Sequence, residues 1–206
     1  PTYEKIDPVR FVGNYSSGKM GFALAEECAR RGAEVDFICG PVSSDMKTQS
    51  PLIHRYDVES AKDMYDRATS MFPAVDAGIL CAAVADFTPE TTADEKIKRK
   101  GDDMVIRLKP TQDIAASLGQ MKTEAQILVG FALETNDEKN NAQLKLKKKN
   151  LDFIVLNSLN DEGAGFRCDT NKITIISVDD EKDFPLKSKA EVAKDIVDEL
   201  ENHIKA

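Results

Sequence analysis

The sequence has no tryptophan, only two histidines and only four cysteines in 206 residues. No uninterrupted apolar run approaches the ~18 residues that a membrane-crossing helix needs. Cationic side chains are also in deficit: 28 lysines and arginines against 36 aspartates and glutamates give a net charge of −8. A broad basic face for duplex DNA or anionic lipid is therefore excluded, and an anionic ligand must be met locally. Cys28, Cys39, Cys81 and Cys168 show no C-x-x-C spacing and no neighbouring histidine. Neither a zinc site nor a disulfide framework is signalled, and buried thiols in a reducing cytoplasm are expected. His54 and His203 lack a sequence partner that would mark a base or a ligand, and no role is assigned to them. The polar opening Pro1–Asp7 holds no signal-peptide core. Its P-T-Y-E-K start without methionine reads as a trimmed piece of a longer chain.

What is present is an alternation of helical and extended patterns. Helices are predicted over Gly18–Arg31, over Ser60–Phe72 with Ser60 as N-cap, over Asp113–Leu118, over Asp137–Lys149 and over Lys189–Ile204. Strands are predicted over Glu34–Cys39, Leu52–Val58, Ala77–Ala85, Met104–Lys109, Ile127–Leu133, Leu151–Leu156 and Lys172–Val178. Several of these strands are apolar on both faces, which places them inside a mostly parallel sheet covered by helices on each side. The expected class is α/β, a Rossmann-like doubly wound sheet, with residues 1–206 as one domain. Ligands in such sheets lie beyond the carboxyl ends of the strands, so the loops after Cys39, Ala85, Phe131 and Leu156 are expected on one edge. Residues Phe87–Asp103, with Pro89 and a dense basic cluster, read as a mobile loop.

Three features bear on chemistry. Gly13-Asn14-Tyr15-Ser16-Ser17-Gly18-Lys19-Met20 satisfies G-x-x-x-x-G-K but puts a thioether where a P-loop needs a magnesium-binding hydroxyl. Ile79–Asp86 has the look of a Walker B strand, so a P-loop nucleotide hydrolase stays open as an alternative. Whichever holds, Ser16, Ser17 and Gly18 open a helix whose free amides attract phosphate. Basic residues fall in two islands: Lys96, Lys98, Arg99, Lys100, Arg107 and Lys109, and then Lys145, Lys147, Lys148 and Lys149. Solvated faces explain such runs by default. A cationic flap closing over a polyphosphate, with Asp86 nearby as a magnesium or base partner, is the sharper reading.

Taken together, D-P-V-R-F-V-G-N-Y-S-S-G-K-M-G at Asp7–Gly21, C-A-A-V-A-D-F at Cys81–Phe87, E-K-I-K-R-K at Glu95–Lys100, V-G-F-A-L-E-T-N at Val129–Asn136 and K-N-L-D at Lys149–Asp152 resemble the bacterial, CTP-using phosphopantothenoylcysteine synthetase family. The resemblance implies a ligase that joins 4′-phosphopantothenate to cysteine through an acyl-cytidylate, with magnesium carried on the nucleotide phosphates and no flavin in this domain. It also implies a cytoplasmic homodimer with a dimerisation strand region, and a flavin-dependent decarboxylase domain often fused upstream. The family's first strand is expected to be missing from the start of this chain. By motif, the resemblance assigns catalysis to Lys96, Asn14 and Lys98. It assigns CTP to Leu80, Cys81, Ala82, Asp86, Lys96, Gln112, Asp113, Ile114, Ala115, Phe131, Lys145 and Lys149. The phosphopantothenate arm falls to Arg10, Asn14, Ser16, Ser17, Gly18 and Ala83. Arg99 replaces a family lysine, and T-Q-D-I-A stands where N-P-D-I-V is usual. A non-catalytic regulatory subunit of the same pathway is the second alternative.

Overall fold

A computed structural model describes the chain except for residues 100, 102, 135, 159–167 and 206. Its elements, in order, are β1 (Tyr3–Lys5), β2 (Phe11–Gly13), α1 (Lys19–Arg30), β3 (Val35–Cys39), β4 (Ile53–Asp57), α2 (Ala61–Met71) and β5 (Ala77–Leu80). There follow β6 (Phe87–Pro89), β7 (Leu108–Pro110), α3 (Ile114–Met121), β8 (Ile127–Glu134), α4 (Glu138–Lys148) and β9 (Phe153–Ser158). The chain closes with β10 (Thr170–Asn171), β11 (Ile173–Ser177), β12 (Glu181–Asp183), β13 (Lys187–Ser188) and α5 (Lys189–Lys205). Most predicted boundaries agree with these to within one or two residues.

The central sheet runs β12-β11-β9-β8-β5 and is mixed. Strands β5, β8 and β9 are parallel, whereas β11 is antiparallel to both β9 and β12. Strands β3 and β4 form a separate parallel pair. The continuous apolar runs have a direct cause, because successive residues of β8 and β9 enter opposite cores. Leu128, Ala132, Ile154 and Leu156 pack with Met64, Phe72 and Leu146 on one face. Val129, Phe153 and Val155 pack with Met20, Leu24, Val192 and Ile196 on the other. A strand buried on both sides has no polar face to alternate with. Helix α2 starts as predicted: the Ser60 hydroxyl accepts from the Asp63 amide and the Asp63 carboxylate accepts from the Ser60 amide, a reciprocal cap.

Three expectations are corrected. The apolar run Ala77–Ala85 is a strand only to Leu80, because the backbone of the next residues is taken by side chains and by the chain start instead of by a neighbouring strand. The predicted strand at Met104–Lys109 is confined to Leu108–Pro110. Phe87–Asp103 is no simple loop, since it begins with β6, which pairs antiparallel with β7. Lys100 lies outside the described residues. Among the described residues no helix is long and apolar enough to cross a membrane.

Candidate functional site

The turn after β5 is the organising feature of the candidate site. Ala83 offers its carbonyl to the Asn14 side-chain amide at 3.0 Å and to the Thr2 amide at 3.3 Å. The Ala85 amide donates to the Thr2 hydroxyl at 3.0 Å, and the Ala85 carbonyl accepts from the Thr111 hydroxyl at 2.7 Å. The Thr111 amide then donates to the Asp86 carbonyl at 2.9 Å. Thr2 itself is fully buried. One turn therefore joins the chain start, the residue after β2 and the segment that leads into α3. Asn14, Ala82 and Asp86 are exposed around it and Ala83 is half-buried.

The basic segment is tied to the end of β1 and to the turn that follows it. Thr92 donates its hydroxyl to the Lys5 carbonyl and the Ala93 amide donates to the Ile6 carbonyl, both at 3.0 Å. Farther on, the Ile97 amide donates to Asp7 at 3.1 Å and the Ile97 carbonyl accepts from the Arg10 guanidinium at 2.8 Å. Asp7 is 1% exposed. It also accepts from the Val9 amide at 2.8 Å, from the Arg10 amide at 3.0 Å and from two guanidinium nitrogens of Arg10. These donors hold its carboxyl well below the usual carboxylate range, the Arg10 side chain contributing most. Lys96, Lys98 and Arg99 flank this attachment, exposed and without a carboxylate partner among the described residues.

The other predicted residues fall into a second group. Asp113 caps α3 by accepting from the Ala116 amide at 3.0 Å, and Lys149 pairs with the same carboxylate at 3.2 Å. Lys145 pairs with Glu134 at the end of β8. The expected nucleotide contacts of Lys145 and Lys149 are thus occupied by intrachain carboxylates. Leu80 stands in register with Gly130, which brings Leu80 and Cys81 beside Phe131. Cys81 and Phe131 are half-buried against the same core. Burial pushes the Cys81 thiol up to about 12 and the Cys28 thiol up to about 11, so neither is a thiolate nucleophile near neutrality. In α3, Gln112 and Asp113 are exposed before the first turn, Ala115 is half-buried and Ile114 is buried.

The P-loop alternative fails on geometry. Strand β2, which precedes Gly13-Asn14, pairs only with β1 in a two-stranded hairpin and lies outside the central sheet. Gly18 adopts φ +79°, its amide donating to the Ser16 hydroxyl at 3.4 Å, and Lys19 pairs with Asp169 at 2.6 Å. Asp86 stands six residues beyond Leu80 and is not at the end of a strand, so the Walker B likeness is lost too. Sequence reasoning missed Asp7, Thr2 and Thr111. The signal for Asp7 was legible, because Asp7-Pro8-Val9-Arg10 is an Asx-turn sequence whose carboxylate folds back on the following amides.

Away from this rim, a depression of about 640 Å³ is lined by Asp57, Val58, Glu59, Asp63, Asp66, Arg67 and Ser70. Among the described residues no group of three histidine, cysteine or acidic side chains is placed to hold a metal ion.

Comparison with known proteins supplies the lineage. A protein of an unknown prokaryotic organism named cysteine/cysteine sulfinic acid decarboxylase is 58% identical over 198 residues, 96% of this chain and 55% of that protein. The coenzyme A biosynthesis bifunctional protein CoaBC of Bacillus subtilis (strain 168) is 48% identical over 201 residues, 97% of this chain and 49% of that protein. The chain thus spans about half the length of these relatives. The crystal structure of the C-terminal domain of a CoaBC protein superposes with a TM-score of 0.82 at 38% identity, over 100% of this chain and 92% of that one. The Rossmann-like α/β expectation holds. A family model described as the DNA/pantothenate metabolism flavoprotein C-terminal domain matches residues 1–204. These findings correct the resemblance to a synthetase family, and with it the CTP-dependent ligase activity, the magnesium nucleotide and the expectation of no flavin. The family description is of a flavoprotein, the relative at 58% identity is named a decarboxylase, and none of these names is that of a ligase. With nearly its whole length matched, the chain belongs to the family of DNA/pantothenate metabolism flavoprotein C-terminal domains.

Proposed function

We propose that this chain is the half of a coenzyme A biosynthesis protein that holds an acidic, phosphate-bearing pantothenate–cysteine conjugate, within a protein whose activity includes decarboxylation. The observation that carries the reading is a cationic rim in a protein of net charge −8: Lys96, Lys98 and Arg99 stand exposed, without a carboxylate partner among the described residues, on a segment tied through Ile97 to the turn of the β1–β2 hairpin that leads on to Asn14. A ligand with a phosphate at one end and a carboxylate near the other supplies the negative charge such a rim lacks. The relatives' names, with pantothenate, coenzyme A, cysteine and decarboxylase among them, support that ligand class.

The chain's own residues bind and orient. Lys96 and Lys98 neutralise the anionic group, Arg99 assists, and the Asn14 amide, fixed on Ala83, meets the amide-rich arm together with Ser16, Ser17 and Gly18. Leu80, Cys81, Ala82 and Phe131 form the less polar floor, and Asp86 and Gln112 lie at its edge. The flavin that the family description implies calls for an apolar slot for its ring and cationic or amide donors for its phosphate. The 640 Å³ depression, with four carboxylates and a single valine in its lining, does not fit that group. Exposed Met104, Val105 and Leu108 support assembly as a homodimer, and four free thiols support a cytoplasmic setting.

Calorimetric titration with 4′-phosphopantothenoylcysteine tests the reading. Each of Lys96→Gln and Lys98→Gln is expected to weaken binding roughly tenfold or more, as for loss of a charge-assisted contact. Cysteine sulfinate, which lacks the phosphate, is expected to bind far more weakly. Equal affinity of both variants and wild type would remove the reading.

A further inference from the structure

Besides its anchors at Thr92 and Ala93, the basic segment is held at Ile97 by one buried carboxylate and its arginine partner. We infer that Asp7 is a positioning residue: with Arg10 it forms a latch that grips the backbone of Ile97 and so presents Lys96 and Lys98 to the ligand. The inference rests on the reading that those two lysines meet the ligand.

Three observations converge. Asp7 is almost fully buried and is surrounded by donors. One oxygen takes the Val9 and Arg10 amides, which fixes the turn between β1 and β2. The other takes the Arg10 side chain and the Ile97 amide. Arg10 in turn donates to the Ile97 carbonyl. Ile97 is thus held at both its amide and its carbonyl, by two residues of another segment ninety and eighty-seven positions away. Such a two-point grip sets the direction of the backbone, and the side chains on either side of it are Lys96 and Lys98.

The grip also accounts for a residue that sequence reasoning placed on the ligand. The Arg10 guanidinium is occupied by Asp7 and Ile97, with one further nitrogen 3.9 Å from the Met104 sulfur. Its part is to hold the segment, so Arg10 acts through the lysines. The neighbouring anchors at Thr92 and Ala93 tie the entry of the segment, whereas Ile97 is the attachment adjacent to the cations. Loss of the latch would leave the lysines present but unaimed. Ordering them would then fall to the ligand, which lowers the apparent affinity by the fraction of time they are misplaced.

Hydrogen–deuterium exchange on the whole chain, resolved at residues 92–98, reads the latch directly. In Asp7→Asn the Ile97 amide is expected to exchange at least tenfold faster in the free protein. Its protection should return to the wild-type level at saturating 4′-phosphopantothenoylcysteine, with affinity reduced about tenfold. Arg10→Gln removes the donor to the Ile97 carbonyl together with the main side-chain partner of Asp7, and it gives the same pattern if Asp7→Asn fails to fold. Unchanged exchange in a folded variant of either kind would overturn the latch. Lys96→Gln separates the two ideas, because it weakens binding while leaving Ile97 protection intact. If that variant binds normally while Asp7→Asn still loosens Ile97, the ligand reading falls and the latch stands as an attachment of the segment alone.

Discussion

At the scale of single residues, Gly119 shows how packing overrides local preference. It lies within α3, where alanine is favoured by about 1 kcal/mol over glycine on propensity alone. A Cβ there would stand 1.9 Å from the Lys149 carbonyl oxygen, and the Asn150 side-chain amide already donates to the Gly119 carbonyl at 2.8 Å. The α3–α4 approach thus needs a bare backbone. Gly119→Ala is expected to lower stability by about 2 to 3 kcal/mol, the usual scale of overpacking, in urea denaturation. A stabilised variant would show that the helices separate at no cost. Gly18 has a different reason, since its φ of +79° lies in the left-handed region at the start of α1.

At the scale of elements, α1 and α5 are joined by charge above the second core. Glu27 is 6% exposed and accepts from Arg30 and Arg31, and Arg31 also reaches Asp198 and Glu201 of α5. The Arg30 side chain leads the forces that hold the Glu27 carboxyl at about 2, against its ordinary 4.5. A carboxylate depressed in the folded state stabilises above its unfolded value, and that contribution is lost as pH falls through the folded value. Stability is therefore expected to decline between about pH 5 and pH 2. Glu27→Gln should cost about 1 to 2 kcal/mol at pH 7 and flatten that part of the acid limb in thermal melts. A variant with the wild-type acid profile would assign the decline to other carboxylates.

At the scale of the whole molecule, the balance of charge matters more than any pair. In a protein of net charge −8 the rim is a local exception, because Lys96, Lys98 and Arg99 have no carboxylate partner among the described residues. The attraction acts through solvent, with a screening length of about 10 Å at 0.1 M salt. Raising sodium chloride from about 50 to 500 mM is expected to weaken binding of the phosphorylated conjugate roughly three- to tenfold, and that slope should shrink in Lys96→Gln. A salt-independent affinity would place the contacts in a buried pocket instead. In the second island Lys145 and Lys149 differ from these, because Glu134 and Asp113 engage them.

The sequence by itself determined the kinds of element and most of their limits. Apolar runs in β8 and β9 had to be buried on both faces, Ser60 carried its own cap, and the period of α5 marked its core side, since each signal lies within a few residues of its effect. Only the tertiary structure decided which cations remained free. Lys145 and Lys149 meet carboxylates eleven and thirty-six positions away, and Asp7 reaches Ile97 across ninety. No local pattern encodes such partners, because they are chosen by how strands and helices stack. The same holds for the run Ala77–Ala85: its composition favours a strand, but Asn14, Thr2 and Thr111 bind the backbone beyond Leu80 and turn it into the rim.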